Sequence, residues 1–120
     1  MDIIDRFKKY VSFDTTSSET LRPGKASTDR QYVLAKEIEK ELKEFKPDEL
    51  EIKKYGVVRA VFKPKGEDTL PRVALFVHMD TSPAAKGFDI KPKVIDYKGG
   101  DIELSKGIVM KASDYPYLKK

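Results

Sequence analysis

The chain contains one imidazole, His78, in the stretch VALFVHMDTSP that runs from Val73 to Pro83, and Asp80 follows it two positions later. In an extended segment, side chains two apart point the same way. The Asp80 carboxylate can therefore take one imidazole N–H and leave the other ring nitrogen free for a metal. Such a carboxylate fixes the tautomer and raises the basicity of the ring. Position adds to this, because open α/β sheets present ligand-binding groups above the C-terminal ends of their strands, and His78 comes where an apolar run ends. A structural reading stands beside the chemical one. His-x-Asp is a three-residue pattern, and a histidine at a strand end is more often satisfied by a local hydrogen bond than by a metal, so spacing alone leaves the structural reading ahead.

Other chemistries find less support. The chain has no cysteine, which excludes a disulfide framework, a thiolate metal site and a cysteine nucleophile; any metal must be held by nitrogen and oxygen. A catalytic zinc normally takes three protein ligands, and His78 is the one strong candidate. Asp14, Asp89, Asp96 and Asp101 all sit in loop or turn contexts, where aspartate serves the backbone. There is no Gly-x-Ser-x-Gly elbow and no glycine-rich phosphate loop. The 24 Lys and Arg residues are interleaved with 20 Asp and Glu, and the basic pairs Lys8-Lys9 and Lys119-Lys120 are too sparse for a nucleic-acid-binding face. MDIIDRFKKY reads as neither signal nor transit sequence, and no apolar run approaches membrane-spanning length. A soluble cytoplasmic protein without nucleic-acid or membrane partners is the expectation.

Several elements must position His78. Ile3, Ile4, Phe7, Tyr10 and Val11 recur at spacings of three and four, predicting a packing helix over residues 2 to 11 with Asp2 favourable at its N-terminus. YVSFDTTSSETLRPGKAST changes to loop chemistry. Thr28 and Gln31 have capping-box spacing, and Leu34, Ile38, Leu42 and Phe45 form the apolar stripe of a second helix, with Glu39 and Lys43 in the favourable order and Pro47 as its stop. ELEIKKYG and VVRAVFK read as strands about a turn at Tyr55-Gly56. RVALFV has the pattern of a strand covered on both faces. KVIDYKGGDIEL reads as a hairpin about Gly99-Gly100, and the last residues lack a clear period. The fold class expected is α/β, a helix-flanked mixed sheet with a small β-hairpin near the C-terminus. Too few helices and strands are present to cover RVALFV, so the sheet reads as incomplete.

HMDTSP, YVSFDTTSS after the first helix, STDRQ opening the second and DYKGGDIEL in the hairpin, in this order and spacing, resemble the peptidase T family, tripeptide aminopeptidases of the co-catalytic zinc metallopeptidase superfamily. The resemblance covers nearly the whole chain. His-x-Asp is common to the superfamily, whereas Thr-Ser-Pro and Tyr-x-Gly-Gly-Asp-Ile point to peptidase T. It implies that His78 is the ligand of one zinc and that Asp80 is the active-site carboxylate holding its imidazole. A complete family site has two zinc ions bridged by an aspartate and a water, with a glutamate as general base. Those groups, the second histidine and a lid domain that mediates dimerisation all lie beyond Lys120 in the family. Residues 1–120 are thus expected to be the N-terminal segment of a zinc exopeptidase-like catalytic domain, with at most a partial zinc site and no activity alone. Short peptide substrates and a homodimer belong to the full-length family. Two alternatives stand: a related carboxypeptidase or amidohydrolase, and a stand-alone non-catalytic interaction domain.

Overall fold

The computed structural model describes residues 2–66 and 71–119. In chain order it contains α1 (Ile3–Val11), α2 (Gln31–Glu44), β1 (Glu49–Ile52), β2 (Val58–Val61), β3 (Ile102–Ser105), β4 (Ile108–Met110) and a closing 3-10 turn at Pro116–Lys119. Its radius of gyration is 18.6 Å, against about 14 Å for a compact chain of this length. The chain is thus less compact than a closed globular domain, with both helices in its first half and one hairpin in each half.

α1 starts where the sequence says. Asp2 is its N-cap, and the carboxylate accepts the amides of Ile4 at 2.6 Å and Asp5 at 3.3 Å, satisfying donors that the first turn leaves free. The way α1 packs is different from the expectation. Ile3 and Phe7 on its apolar stripe are exposed, and the helix is fastened to α2 through its polar side chains instead. Glu41 of α2, itself buried, accepts from Arg6 Nε at 3.0 Å, Lys9 Nζ at 2.9 Å and Tyr10 Oη at 2.9 Å, while Lys9 also pairs with Glu37. The Lys9 ammonium, then the Tyr10 and Arg6 donors, hold the Glu41 carboxyl below its ordinary range against the opposing effect of burial.

The start of α2 corrects a second expectation. The Thr28–Gln31 capping box does not form: Arg30 occupies the cap position, and its side chain makes no capping hydrogen bond. Thr28 Oγ1 donates to the Thr16 carbonyl at 2.9 Å, and Gln31 Nε2 donates to Ser27 Oγ at 3.0 Å, the same hydroxyl that accepts the Ser18 amide at 3.1 Å. The polar groups of the folded-in loop compete for these side chains and win, because a loop backbone tucked against a helix must find partners there. The helix then runs as read, with Leu34 and Ala35 buried, Glu39–Lys43 paired at 3.6 Å, and an end before Lys46, whose φ is +51°.

β1 and β2 form the expected antiparallel hairpin, registering Glu49 with Val61 and Ile52 with Val58. Gly56 closes the turn at φ +79°, a conformation that suits glycine. A Cβ there would also meet Ala26 at 3.4 Å and the Tyr32 ring at 3.6 Å. Tyr32 Oη in turn binds the Lys54 carbonyl and accepts the Ala26 amide at 3.1 Å, tying α2 to this turn. Ala26, Leu34 and Ala35 are the buried apolar residues of the described structure, and Ala26 lies at this contact.

The sheet itself departs from the expected mixed, helix-flanked architecture. Two separate two-stranded antiparallel sheets form, β1–β2 and β3–β4. RVALFV does not become a strand: residues 71–80 carry no regular secondary structure and join no ladder, with Leu75 89% and Phe76 93% exposed. An apolar run specifies that a segment would be buried, but a strand also needs a neighbour's N–H and C=O groups, and each hairpin here pairs only with itself. The C-terminal hairpin also moves. Its turn is at Lys106-Gly107, with Gly107 at φ +79°, and its arms are β3 and β4. Gly99 and Gly100 instead make a separate bend, against which Tyr97 Oη donates to the Gly100 carbonyl at 2.7 Å. Asp101 accepts the Ala112 amide at 2.9 Å and closes the open end of the hairpin.

Two outcomes follow. Removing the shared acceptor with Glu41→Ala leaves Arg6 and Tyr10 without it and Lys9 with Glu37 alone, and should destabilise the α1–α2 unit by about 2 kcal/mol, read as a lower urea midpoint, with helicity lost from α1 before α2. Amides of Val73–Val77, which lie in no ladder, should exchange with deuterium far faster than those of Leu34–Leu42 in α2; comparable protection would contradict the unpaired conformation.

Candidate functional site

His78 and Asp80 end the extended segment, and the alternation of side chains in it puts both on one side. His78 Nδ1 lies 2.8 Å from Asp80 Oδ1. The hydrogen bond to His78 comes first among the influences that hold the Asp80 carboxyl below its ordinary range, with burial opposing. An ionised carboxylate only accepts, so in the neutral imidazole Nδ1 carries the proton and Nε2 presents its lone pair. The ring is 92% exposed, and nothing buries that lone pair.

Directly after the pair, the chain is caught by the loop that follows α1. Thr81 forms a parallel bridge with Thr16. Its amide donates to the Thr15 carbonyl at 3.2 Å, and its carbonyl accepts both the amide of Ser17 at 2.9 Å and the Ser17 hydroxyl at 3.0 Å. Thr15 is buried. The loop is set from its other side by Asp14, whose Oδ1 accepts the Thr16 amide at 3.0 Å and its hydroxyl at 2.7 Å, and whose Oδ2 pairs with Arg30 at the head of α2. Asp14 is thus the turn residue its context suggested. The Thr16 bonds, then Arg30, keep its carboxyl below the ordinary value of 3.8. Beyond the bridge, Ser82 Oγ accepts the Ala84 amide at 3.2 Å, and a shallow groove opens between Thr16, Ser17, Ser18, Arg30 and Ser82.

As a metal site the arrangement is one corner. The free Nε2 of His78 fits a zinc ligand and Asp80 fits the carboxylate that orients it, but the described residues include no group of three or more His, Asp or Glu able to hold a metal ion. Asp14 belongs to the bridge, and Asp101 to the C-terminal hairpin. No helix among the described residues is long and apolar enough to cross a membrane.

No family model matches the chain. Proteins named Peptidase T do match it: that of Caldanaerobacter subterraneus subsp. tengcongensis is 40% identical over 120 residues, that of Clostridium novyi 38% over 120, and that of Photobacterium profundum 37% over 121. The first two alignments cover 98% of this chain and the third 99%. An N-terminal part of a peptidase T fits these matches. The chain spans 29% of the length of each of these relatives. The resemblance read from HMDTSP, YVSFDTTSS and DYKGGDIEL is thereby supported by similarity along nearly the entire sequence.

Three participants escaped the sequence reading. Arg30 looked like one charge among many, Ser17 like one hydroxyl in a polar loop, and Gly87 carried no motif. Gly87 lies so close to the bridge that a Cβ would come 2.6 Å from Thr81 Oγ1 and 3.0 Å from Thr16 Oγ1. Only the long-range pairing of residues 15–17 with Thr81 distinguishes them.

The Asp14 interactions carry a pH dependence of definite sign. Because its folded pKa is lowered from 3.8, its contribution to stability is present above the unfolded value and is lost as pH falls through the folded one. Asp14→Asn should lower the thermal midpoint most at about pH 6, and the gap from the parent should close towards about pH 2. A gap independent of pH would show that the carboxylate charge is not what holds the loop.

Proposed function

We propose that this chain supplies the His78–Asp80 corner of a two-zinc aminopeptidase site that removes the N-terminal residue from tripeptides. His78 Nε2 ligates one zinc. Asp80 holds the imidazole by its Nδ1–H, keeping the tautomer that leaves Nε2 available and stabilising the charge that builds on the ring when a metal is bound. When bound, zinc would supply Lewis-acid chemistry there, polarising the scissile carbonyl and lowering the pKa of a bound water. The observation that carries this reading is the 2.8 Å contact from Nδ1 to Asp80 with an imidazole otherwise open to solvent, and the similarity to Peptidase T proteins supports it. The remaining metal ligands, the general base, a lid and a dimer contact would come from residues outside the 1–120 segment. The same residues would cover Val73, Leu75, Phe76 and Val77, completing a helix-flanked sheet in which this segment is an interior strand.

Two measurements test the proposal. The 120-residue chain, titrated with zinc in a calorimeter, should show at most one weak site, lost in His78→Ala, and should release no product from a tripeptide. Two tight zinc ions with robust cleavage would overturn the one-corner reading. A chimera in which residues 1–120 replace the matching segment of the Caldanaerobacter protein should cleave tripeptides. In it, Asp80→Asn should weaken zinc binding by roughly 10–100-fold and His78→Ala should abolish turnover; full activity in His78→Ala would refute the assignment.

A further inference from the structure

Neither member of the His78–Asp80 pair is embedded in a core. Among the described residues, Asp80 is the hydrogen-bond partner of the His78 ring, so the precision of the imidazole depends on what fixes the backbone at Asp80. That backbone is gripped one residue on. The Thr81 amide, which shares a peptide plane with Asp80, donates to the Thr15 carbonyl, and the Thr81 carbonyl is held twice by Ser17, through its amide at 2.9 Å and its hydroxyl at 3.0 Å. On the other side, Gly87 passes so close to Thr81 and Thr16 that no side chain fits between them. Thr81 is open to solvent, so water competes for these bonds, and the close approach of the backbone at Gly87 helps to keep the bridge shut.

We propose that Ser17 and Gly87 are positioning residues of the metal-binding corner: Ser17 clamps the Thr81 carbonyl, Gly87 allows the following loop to close over the bridge, and together they set the angle at which Asp80 meets the His78 ring. The inference rests on the functional reading of that pair, yet it concerns the metal-free chain and is measured there. Loose support for a ligand is enough to degrade a site, since productive geometry tolerates only about 0.5 Å of error.

The experiment reads the imidazole directly. With a single histidine in the chain, the nitrogen-15 shifts of its ring, recorded without metal at a pH where it is neutral, give the balance between the Nδ1–H and Nε2–H tautomers. The parent should favour Nδ1–H, and Asp80→Asn should shift the balance away from it. Ser17→Ala and Gly87→Ala should each shift it in the same direction by a smaller amount, Ser17→Thr should restore the parent's balance, and unchanged α2 amide shifts should show that the fold is kept. A merely structural role for Ser17 would alter stability and leave the tautomer alone. If Asp80→Asn moves the balance while Ser17→Ala and Gly87→Ala leave it at the parent's value, the positioning role is overturned and the functional reading stands. If Asp80→Asn does not move it, the His78–Asp80 clamp fails and the inference falls with it.

Discussion

The arrangement of the site depends on one short piece of parallel pairing, between Thr16 in the loop after α1 and Thr81 just beyond Asp80. It joins residues far apart in sequence with a handful of backbone bonds, and such a closure must offset the entropy of the intervening loop. The reinforcement comes from side chains. Asp14 shapes the loop through Thr16 and anchors it to Arg30, Thr28 ties the Thr16 carbonyl to the start of α2, and Ser17 doubles the bond to Thr81. The side chains of Asp14, Ser17 and Thr28 thus link the segment at Thr81, through the loop, to the start of α2.

The helical half is held by a comparable device. Its apolar residues buried from solvent are few and mostly small, and α1 is joined to α2 by Glu41 receiving Arg6, Lys9 and Tyr10 at once. Half-buried ionic clusters of this kind give orientation more than net stability, because desolvation offsets much of the attraction. The exposed stripe of α1 and the uncovered VALFV run are two apolar surfaces in search of cover. In the proposed complete protein, both would be internal.

Much of the local structure is legible along the chain. Asp2 before an apolar period of three and four marks the start of α1, the stripe from Leu34 to Leu42 marks α2, and Gly56 between two β-rich runs marks the first hairpin, because caps, periodicity and turn glycines act over a few residues. The failures share a cause. Thr28 and Gln31 had the right spacing for a capping box, but the 14–18 loop needed their hydrogen bonds. The second hairpin was placed one turn too early because Gly99-Gly100 has the stronger turn signal, while the Ile108–Met110 arm is too short to show a period. RVALFV carries a sound burial signal whose pairing strands are not among the described elements.

By itself, the sequence determines the chemistry on offer: one histidine, no cysteine, and an aspartate at the only spacing in an extended segment that lets it hold that imidazole. These are matters of residue type and of the two-residue repeat of extended chain, so no distant contact is needed to read them. Tertiary structure alone decided that Ser17 would hold the Thr81 carbonyl just beyond the pair, that a Cβ at Gly87 would meet Thr81 and Thr16, and that Asp14 would serve the loop. Those outcomes depend on which backbone groups meet across a sequence separation of 64. No local pattern encodes that meeting.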